Sequence, residues 1–170
     1  MLVADFVLMT TMLPAISPRA LNLKDVFLSA KVSILGEDNV MNLTKVASSI
    51  VVMIDGLGYE NLLDAKPGFL RRSMADADFA HCGFPSTTAS SIASFATALE
   101  ASDHGLFGYS IFDRSLNENV NLLTGLDRFS ILDYFKASPL SEESQVPVHA
   151  VTLAAYENSG FTRATMHGAE

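Results

Sequence analysis

The chain has 170 residues, of which 49% are hydrophobic and 18% are charged, a balance that excludes an intrinsically disordered protein and suffices for one domain with a core. Its formal net charge of −8 disfavours binding to a nucleic-acid polymer, whose phosphate backbone it repels, but leaves room for a small phosphate ester at a metal site. Cys82 is the only cysteine, which excludes a disulfide within the chain. We expect a single domain over residues 1–170.

The first 48 residues carry weak structural signals. Residues 1–16 are apolar but contain Asp5 and no Lys or Arg, so they lack the positive region of a secretory signal and favour a folded N-terminus. Residues 26–35 are compatible with a strand pair or with an irregular segment, and the sequence leaves both open. The apolar run at residues 50–54 is far too short for a membrane span, so we expect no membrane contact and a cytoplasmic location.

Further along, strands alternate with helices. The apolar runs 46–54, 79–84 and 148–154 predict buried strands, and a shorter strand-like segment lies at 119–123. Helices are predicted at 59–65, 70–75, 88–99 and 129–136, with loops at 103–113 and 137–147. This alternation favours an α/β fold in which helices flank a mainly parallel central sheet. Chemistry in such sheets lies at the carboxyl ends of the strands, where Asp55 and the 85–88 turn fall.

Asp55 follows the first predicted strand and precedes a turn with two glycines. The glycines permit a positive φ and a close backbone approach, but a third glycine is missing, so the turn is not a dinucleotide fingerprint. A carboxylate at this position either caps the helix that follows or binds a metal ion, and both roles are compatible with the sequence. Asp55 is therefore a candidate metal ligand.

Thr88 is the candidate nucleophile, because it begins a predicted helix rich in small residues. Free backbone N–H groups and the helix dipole at such a position favour a phosphate group and an alkoxide, and a nearby divalent cation would lower the pKa of the hydroxyl. The alternative is that Ser86, Thr87 or Thr88 is only the N-cap of this helix.

Asp103 and His104 are adjacent and form the other candidate for metal binding. Both side chains are able to ligate if the turn directs them inward, but satisfaction by loop hydrogen bonds is the favoured interpretation. His81 lies within a predicted strand, where packing is favoured over ligation. Cys82 lies in the same strand and is expected to be a buried, inert thiol.

Three segments together resemble a known family. Residues 51–58, 84–88 and 98–105 resemble, in order and approximate spacing, the N-terminal part of the alkaline phosphatase superfamily, closest to its nucleotide pyrophosphatase/phosphodiesterase branch. The three segments span about half of the chain. The resemblance implies an α/β sandwich around a central sheet and the hydrolysis of small phosphate esters, phosphodiesters or nucleotide pyrophosphates.

The resemblance also implies site residues and cofactors. Asp55 would ligate one ion of a two-zinc site, and Thr88 would bind the same ion and attack phosphorus, forming a phosphothreonine that water then hydrolyses. Manganese or iron would also suit such ligands. The residues 82–85 do not fit the C-x-P-x-R signature of the related sulfatases.

Two departures from the family pattern bear on function. One is Tyr109, which stands near the place of an asparagine that holds the phosphate. The other concerns the metal ligands, because Asp103–His104 falls at the structural His-Gly loop of the family and not at one of its downstream ligand pairs. The remaining ligands of the family are aspartates and histidines that would lie beyond Glu170, so we expect at most one partial zinc site and a catalytic domain that is incomplete at its C-terminus. The alternatives are a truncated, non-catalytic remnant and a phosphotransferase or mutase of the same superfamily.

Overall fold

The computed structural model describes residues 20–64, 66, 68–73, 79–123 and 133–170. These residues form several helices and a small antiparallel sheet of two strands. In chain order the elements are α1 (Leu23–Leu35), α2 (Tyr59–Asp64), α3 (Phe69–Ser73), α4 (Thr88–Thr97), α5 (Ala101–His104), β1 (Ser110–Asp113), β2 (Glu118–Asn121), a 3₁₀ helix (Ala154–Tyr156) and α6 (Gly160–Thr165).

Helix α1 occupies the segment for which the sequence left a strand pair or irregular structure open, and both alternatives are wrong. Its N-terminus has a capping box, in which the Asn22 side chain accepts from the Lys24 N–H and the Asp25 carboxylate accepts from the Asn22 N–H. The helix ends at Leu35 and is followed by the C-cap Gly36, which adopts the left-handed conformation with a φ of 78°. These two end signals explain why the segment is helical despite its β-branched residues.

Among the described helices, α4 has the largest share of buried residues. Its alanines at 89, 93 and 96 are fully buried, and Phe95 stacks on Phe27 of α1 with 5.2 Å between ring centroids. The predicted helix at 88–99 is confirmed, but it ends at Thr97 because Ala98 adopts a left-handed conformation with φ of 59°. The core around α4 consists of Ala89, Ala93, Leu106, Val120, Leu122, Phe135 and Phe161.

Strands β1 and β2 form an antiparallel hairpin, with Ser110 opposite Asn121 and Asp113 opposite Glu118. The predicted strand-like segment at 119–123 is thus confirmed at β2, whereas the predicted loop at 103–113 contains the end of α5 and all of β1. The Asp113 carboxylate accepts a hydrogen bond of 2.7 Å from the Tyr134 hydroxyl, which ties the hairpin to the segment that follows it.

The described residues do not form the predicted mainly parallel central sheet. Residues 46–54, 79–84 and 148–154 contain no assigned strand, and several of their apolar side chains are exposed, among them Ile50 at 89% and Val151 at 100%. A strand requires the backbone of a neighbour within hydrogen-bonding distance, and an apolar run by itself does not supply that neighbour. Cys82 is also exposed, which corrects the expectation of a buried thiol.

Short pieces of parallel pairing nevertheless occur. The His81 N–H donates to the Leu21 carbonyl at 2.8 Å, and the Leu23 N–H donates to the His81 carbonyl at 2.7 Å, as in one step of a parallel ladder. Glu170 makes the same pattern with Val148 and Ala150, at 2.9 Å for each bond. The helices and these bridges are consistent with part of an α/β fold.

Some predictions fall on residues that are not described: residues 1–16, Ala65 at the end of the first predicted helix, residues 74–75, and the first half (129–132) of the helix predicted at 129–136. The described residues 133–136 of that last segment are not α-helical. Among the described helices none has both the length and the apolar character needed to cross a membrane.

Candidate active site

The turn after residue 54 places Asp55 at the surface, just ahead of α2. Gly56 has a φ of 72°, a conformation that favours glycine, so the chain reverses immediately after the carboxylate. The Gly58 N–H donates to the Asn61 side chain at 2.9 Å, which satisfies a free amide at the start of α2. The hydrogen bond described for the Asp55 carboxylate is with Thr88, and not with an amide of α2.

Thr88 is the first residue of α4 and is half-buried. Thr87 is the N-cap, with an extended backbone (φ of −83°, ψ of 153°), but its side chain makes no capping hydrogen bond. Its hydroxyl donates instead to the Phe107 carbonyl at 3.3 Å. The amides of the first turn of α4 thus lack a side-chain cap, an arrangement that suits an anion.

The structure brings Asp55 and Thr88 together. The Thr88 hydroxyl (Oγ1) donates to Asp55 Oδ2 at 3.2 Å, between residues 33 positions apart in the sequence. Two oxygen atoms at this separation are able to bind one cation in common. The pair is open to solvent, because Asp55 is exposed and Thr88 is only half-buried.

Asp55 and Thr88 fit a divalent ion as two of its ligands, since a carboxylate oxygen and an alkoxide are both hard donors. They do not complete a site, because zinc commonly takes four ligands. No group of three or more His, Cys, Asp or Glu residues within the described ranges is arranged to hold a metal ion.

His104 lies in the core and has a structural role, in agreement with the favoured interpretation of the sequence. Its side chain is fully buried, Nδ1 accepts from the Leu106 N–H at 3.1 Å, and Nε2 lies 3.0 Å from the Ser94 hydroxyl oxygen. Because Nδ1 is an acceptor, the ring is neutral, and desolvation by burial lowers the pKa of His104 despite the nearby charge of Asp103. Both ring nitrogens are engaged, so His104 is not available as a metal ligand.

The loop of residues 105–109 lies between His104 and β1. Gly105 has a φ of 87°, and a Cβ atom there would approach the Tyr134 carbonyl oxygen to 2.7 Å, so only glycine fits without a shift of the backbone. Phe107 and Tyr109 are exposed at 55% and 59%. The contact of this loop with Thr87 was not predicted, since a threonine at a helix start gives no sign in the sequence that its hydroxyl forms a hydrogen bond elsewhere.

A polar cavity of about 340 Å³ lies apart from the Asp55–Thr88 pair. Its lining comes from residues 141–148 together with Gly168 and Glu170, and it includes the carboxylates of Glu142, Glu143 and Glu170. A lining with this negative charge repels a phosphate ester. The cavity is therefore not a candidate substrate site for phosphate chemistry.

Comparison with known families adds one result to this geometry. Residues 49–166 match the family model described as type I phosphodiesterase / nucleotide pyrophosphatase, and this range includes Asp55, Thr88 and His104. Comparisons with curated proteins and with solved structures give no match. Because the matched range covers more than half of the chain, the protein belongs to the type I phosphodiesterase/nucleotide pyrophosphatase family, within the alkaline phosphatase superfamily.

Proposed function

We propose that this chain provides the nucleophile and one metal ligand for the hydrolysis of phosphate esters, with a phosphodiester or a nucleotide pyrophosphate as the substrate. The observation that carries the proposal is the 3.2 Å hydrogen bond from Thr88 Oγ1 to Asp55 Oδ2 at the uncapped start of α4. Family membership supports the reaction class, since the matched family acts on phosphodiesters and nucleotide pyrophosphates by its description.

The chemistry of the pair explains why a cation is required. A threonine hydroxyl is a weak nucleophile, and its alkoxide would lie about 3.2 Å from the Asp55 carboxylate, where two negative charges repel each other. A bound divalent ion would neutralise this repulsion and lower the pKa of the Thr88 hydroxyl. Asp55 then serves as a ligand and also fixes the orientation of Thr88 before the reaction.

The reaction proposed for Thr88 has two stages. In the first, Thr88 Oγ1 loses its proton to solvent and forms a bond to phosphorus, and the bond from phosphorus to the leaving oxygen breaks; the leaving group takes a proton from solvent, and a phosphothreonine remains that carries the second substituent of the substrate. In the second, a water molecule attacks the same phosphorus, the bond to Thr88 breaks, and a proton from the water returns to Thr88 Oγ1 as the phosphate monoester is released. The first-turn amides of α4 would bind the phosphate oxygens in both stages.

The metal proposed is zinc, with Asp55 and Thr88 as two ligands of one ion. The remaining ligands are proposed to lie outside the described residues, in a longer form of the catalytic domain. The alternative is a non-catalytic remnant, which the shortage of metal ligands among the described residues favours. The proposed partner is a small phosphate ester rather than a nucleic-acid polymer, because the chain is acidic.

Turnover of an aryl phosphodiester in the presence of zinc tests the proposed nucleophile. Thr88→Ala is expected to abolish turnover, whereas Ser86→Ala, which removes an exposed hydroxyl two residues away, is expected to retain it. Equal turnover by Thr88→Ala and the unmodified chain would exclude Thr88 as the nucleophile. Because the remaining ligands are proposed to lie in a longer form of the domain, the comparison is made in that form, and absence of turnover there with Thr88 intact would favour the remnant.

Zinc titration by calorimetry tests the proposed metal ligand without requiring activity. We expect at most one zinc ion per chain and weaker binding by Asp55→Asn. Failure of the unmodified chain to bind zinc would favour the remnant, and tight binding of two ions would contradict the partial site.

A further inference from the structure

The 105–109 loop is attached to α4 at two points. The first attachment is at its base, where the His104 ring lies 3.0 Å from the Ser94 hydroxyl in the second turn of α4 and accepts a hydrogen bond from the Leu106 N–H. The His104 carbonyl also accepts from the Lys136 N–H at 3.0 Å. The ring and the carbonyl of His104 are buried, so these hydrogen bonds hold the His104 end of the loop in place.

The second attachment is at the start of α4. The Thr87 hydroxyl donates to the Phe107 carbonyl at 3.3 Å, across 20 positions of sequence. An N-cap threonine ordinarily accepts a hydrogen bond from an amide of the first helical turn, and Thr87 does not. The hydroxyl is therefore used for the loop and not for the helix, and the first-turn amides beside Thr88 remain uncapped.

We propose that Thr87 is a positioning residue, whose hydroxyl holds the 105–109 loop beside the start of α4 while leaving the first-turn amides open. Thr87 is covalently adjacent to Thr88, so a displacement of the loop that moves the N-cap also moves the hydroxyl of Thr88. The effect on turnover rests on the proposed function, but the effect on the loop does not.

The two attachments differ in strength. The one at His104 is buried, whereas the one at Thr87 is solvent-accessible and consists of a single hydrogen bond. Loss of the Thr87 bond should therefore loosen residues 106–109 without unfolding the core. A single hydrogen bond of ordinary strength corresponds to about a fivefold change in an equilibrium constant.

Hydrogen–deuterium exchange of the full chain measures this effect directly. Thr87→Val keeps the shape of the side chain and removes the donor, and it should speed exchange of the Leu122 amide, which donates to the Tyr109 carbonyl of the loop at 2.7 Å, by about fivefold. Thr87→Ser keeps the donor and should restore slow exchange. Thr97→Val is the matched control, because it removes a hydroxyl bonded to the Ala93 carbonyl at the other end of α4 and should leave the loop unchanged.

The outcomes separate this inference from the proposed function. Exchange in Thr87→Val equal to that of the unmodified chain would overturn the role of Thr87, and Thr87→Ala provides a second variant lacking the donor. Where the chain turns over an aryl phosphodiester, Thr87→Val should lower kcat more than it raises KM, and Thr87→Ser should recover kcat. Full turnover by Thr88→Ala would exclude the nucleophile but would leave the exchange result standing.

Discussion

The Asp55–Thr88 pair is open to solvent. Substitution of either residue should therefore change the proposed chemistry more than the folding free energy. The hydrogen bond between them is exposed, so its loss should cost little folding free energy, in the range of about 0.5–1.5 kcal/mol for an ordinary bond. Their substitution is therefore a clean test of metal binding and turnover.

Asp55→Asn should weaken zinc binding while leaving the fold intact. The asparagine amide keeps an acceptor for the Thr88 hydroxyl but removes the negative charge. We expect the zinc affinity to fall by at least about tenfold, because loss of a residue that only supports a metal ligand already lowers the affinity by about this factor. Calorimetric titration measures the affinity, and Asp103→Asn is the matched control because Asp103 is exposed and lies outside the pair. Equal affinities for Asp55→Asn and the unmodified chain would remove Asp55 from the metal site.

His104 should behave in the opposite way, because it is buried and its two nitrogens serve the loop and α4. His104→Ala leaves the Ser94 hydroxyl and the Leu106 N–H unpaired and opens a cavity, and we expect the free energy of unfolding to fall by about 2–5 kcal/mol. Urea denaturation measures this change. His149→Ala is the control, since the His149 side chain is 65% exposed and should shift stability by no more than about 0.5 kcal/mol.

At the scale of elements, local end signals decide where the described helices begin and end. Helix α1 is fixed by its capping box and by Gly36, and α4 begins without a side-chain cap because Thr87 is engaged with the loop. The two helices pack against each other through the stacked rings of Phe27 and Phe95, and Lys24 of α1 forms an ion pair of 2.6 Å with Glu100, the N-cap of α5. This pair is partly exposed, so it contributes little beyond orientation.

Asn22→Ala should destabilise the chain by about 1 kcal/mol, because it removes the side-chain acceptor for the first turn of α1. Thermal unfolding monitored by circular dichroism should show a lower midpoint. Asn158→Ala is the control, since Asn158 is exposed in a turn and caps no described helix. An unchanged midpoint in Asn22→Ala would mean that tertiary contacts, and not the cap, hold the start of α1.

At the scale of the whole molecule, described groups with shifted pKa values make the stability depend on pH. Burial lowers the pKa of His104, so the unfolded chain takes up a proton near pH 6.5 that the folded chain excludes. Hydrogen bonds from Ser115 and Tyr134 lower the pKa of Asp113 to about 2, and the bond to Asp113 raises the pKa of Tyr134 to about 12. Stability is therefore lost in acid below about pH 6.5, further below about pH 4, and in base above about pH 10.

The thermal midpoint should accordingly decline as the pH falls from 7 to 5, because protons bind preferentially to the unfolded chain in this window. His104→Gln should reduce this decline, since glutamine does not titrate. The same series between pH 9 and 11.5 should show a loss of stability that Tyr134→Phe reduces. A midpoint that rises on acidification from pH 7 to 5 would contradict the buried, neutral state assigned to His104.

The sequence by itself determined the family and part of the local structure, although helix α1 was not predicted. Three motifs indicated the phosphodiesterase branch, the 3.6-residue periodicity predicted α4, and the glycine after Asp55 predicted a turn; each signal arises from neighbouring residues and therefore survives in the sequence. The predicted parallel sheet was not found, because apolar runs report a tendency to be buried and not the presence of a neighbouring strand.

Only the tertiary structure decided which side chains meet. The contact of Thr88 with Asp55 joins residues 33 positions apart, that of Thr87 with Phe107 joins residues 20 apart, and the bonds of His104 depend on how α4 and α5 are packed. A hydrogen bond forms over about 3 Å and in a narrow range of directions, so no spacing along the chain fixes it until the backbone segments lie side by side. For this reason the pairing of Asp55 with Thr88 was predicted only as two ligands of one ion, and the partners of Thr87 and of the His104 ring were not predicted at all.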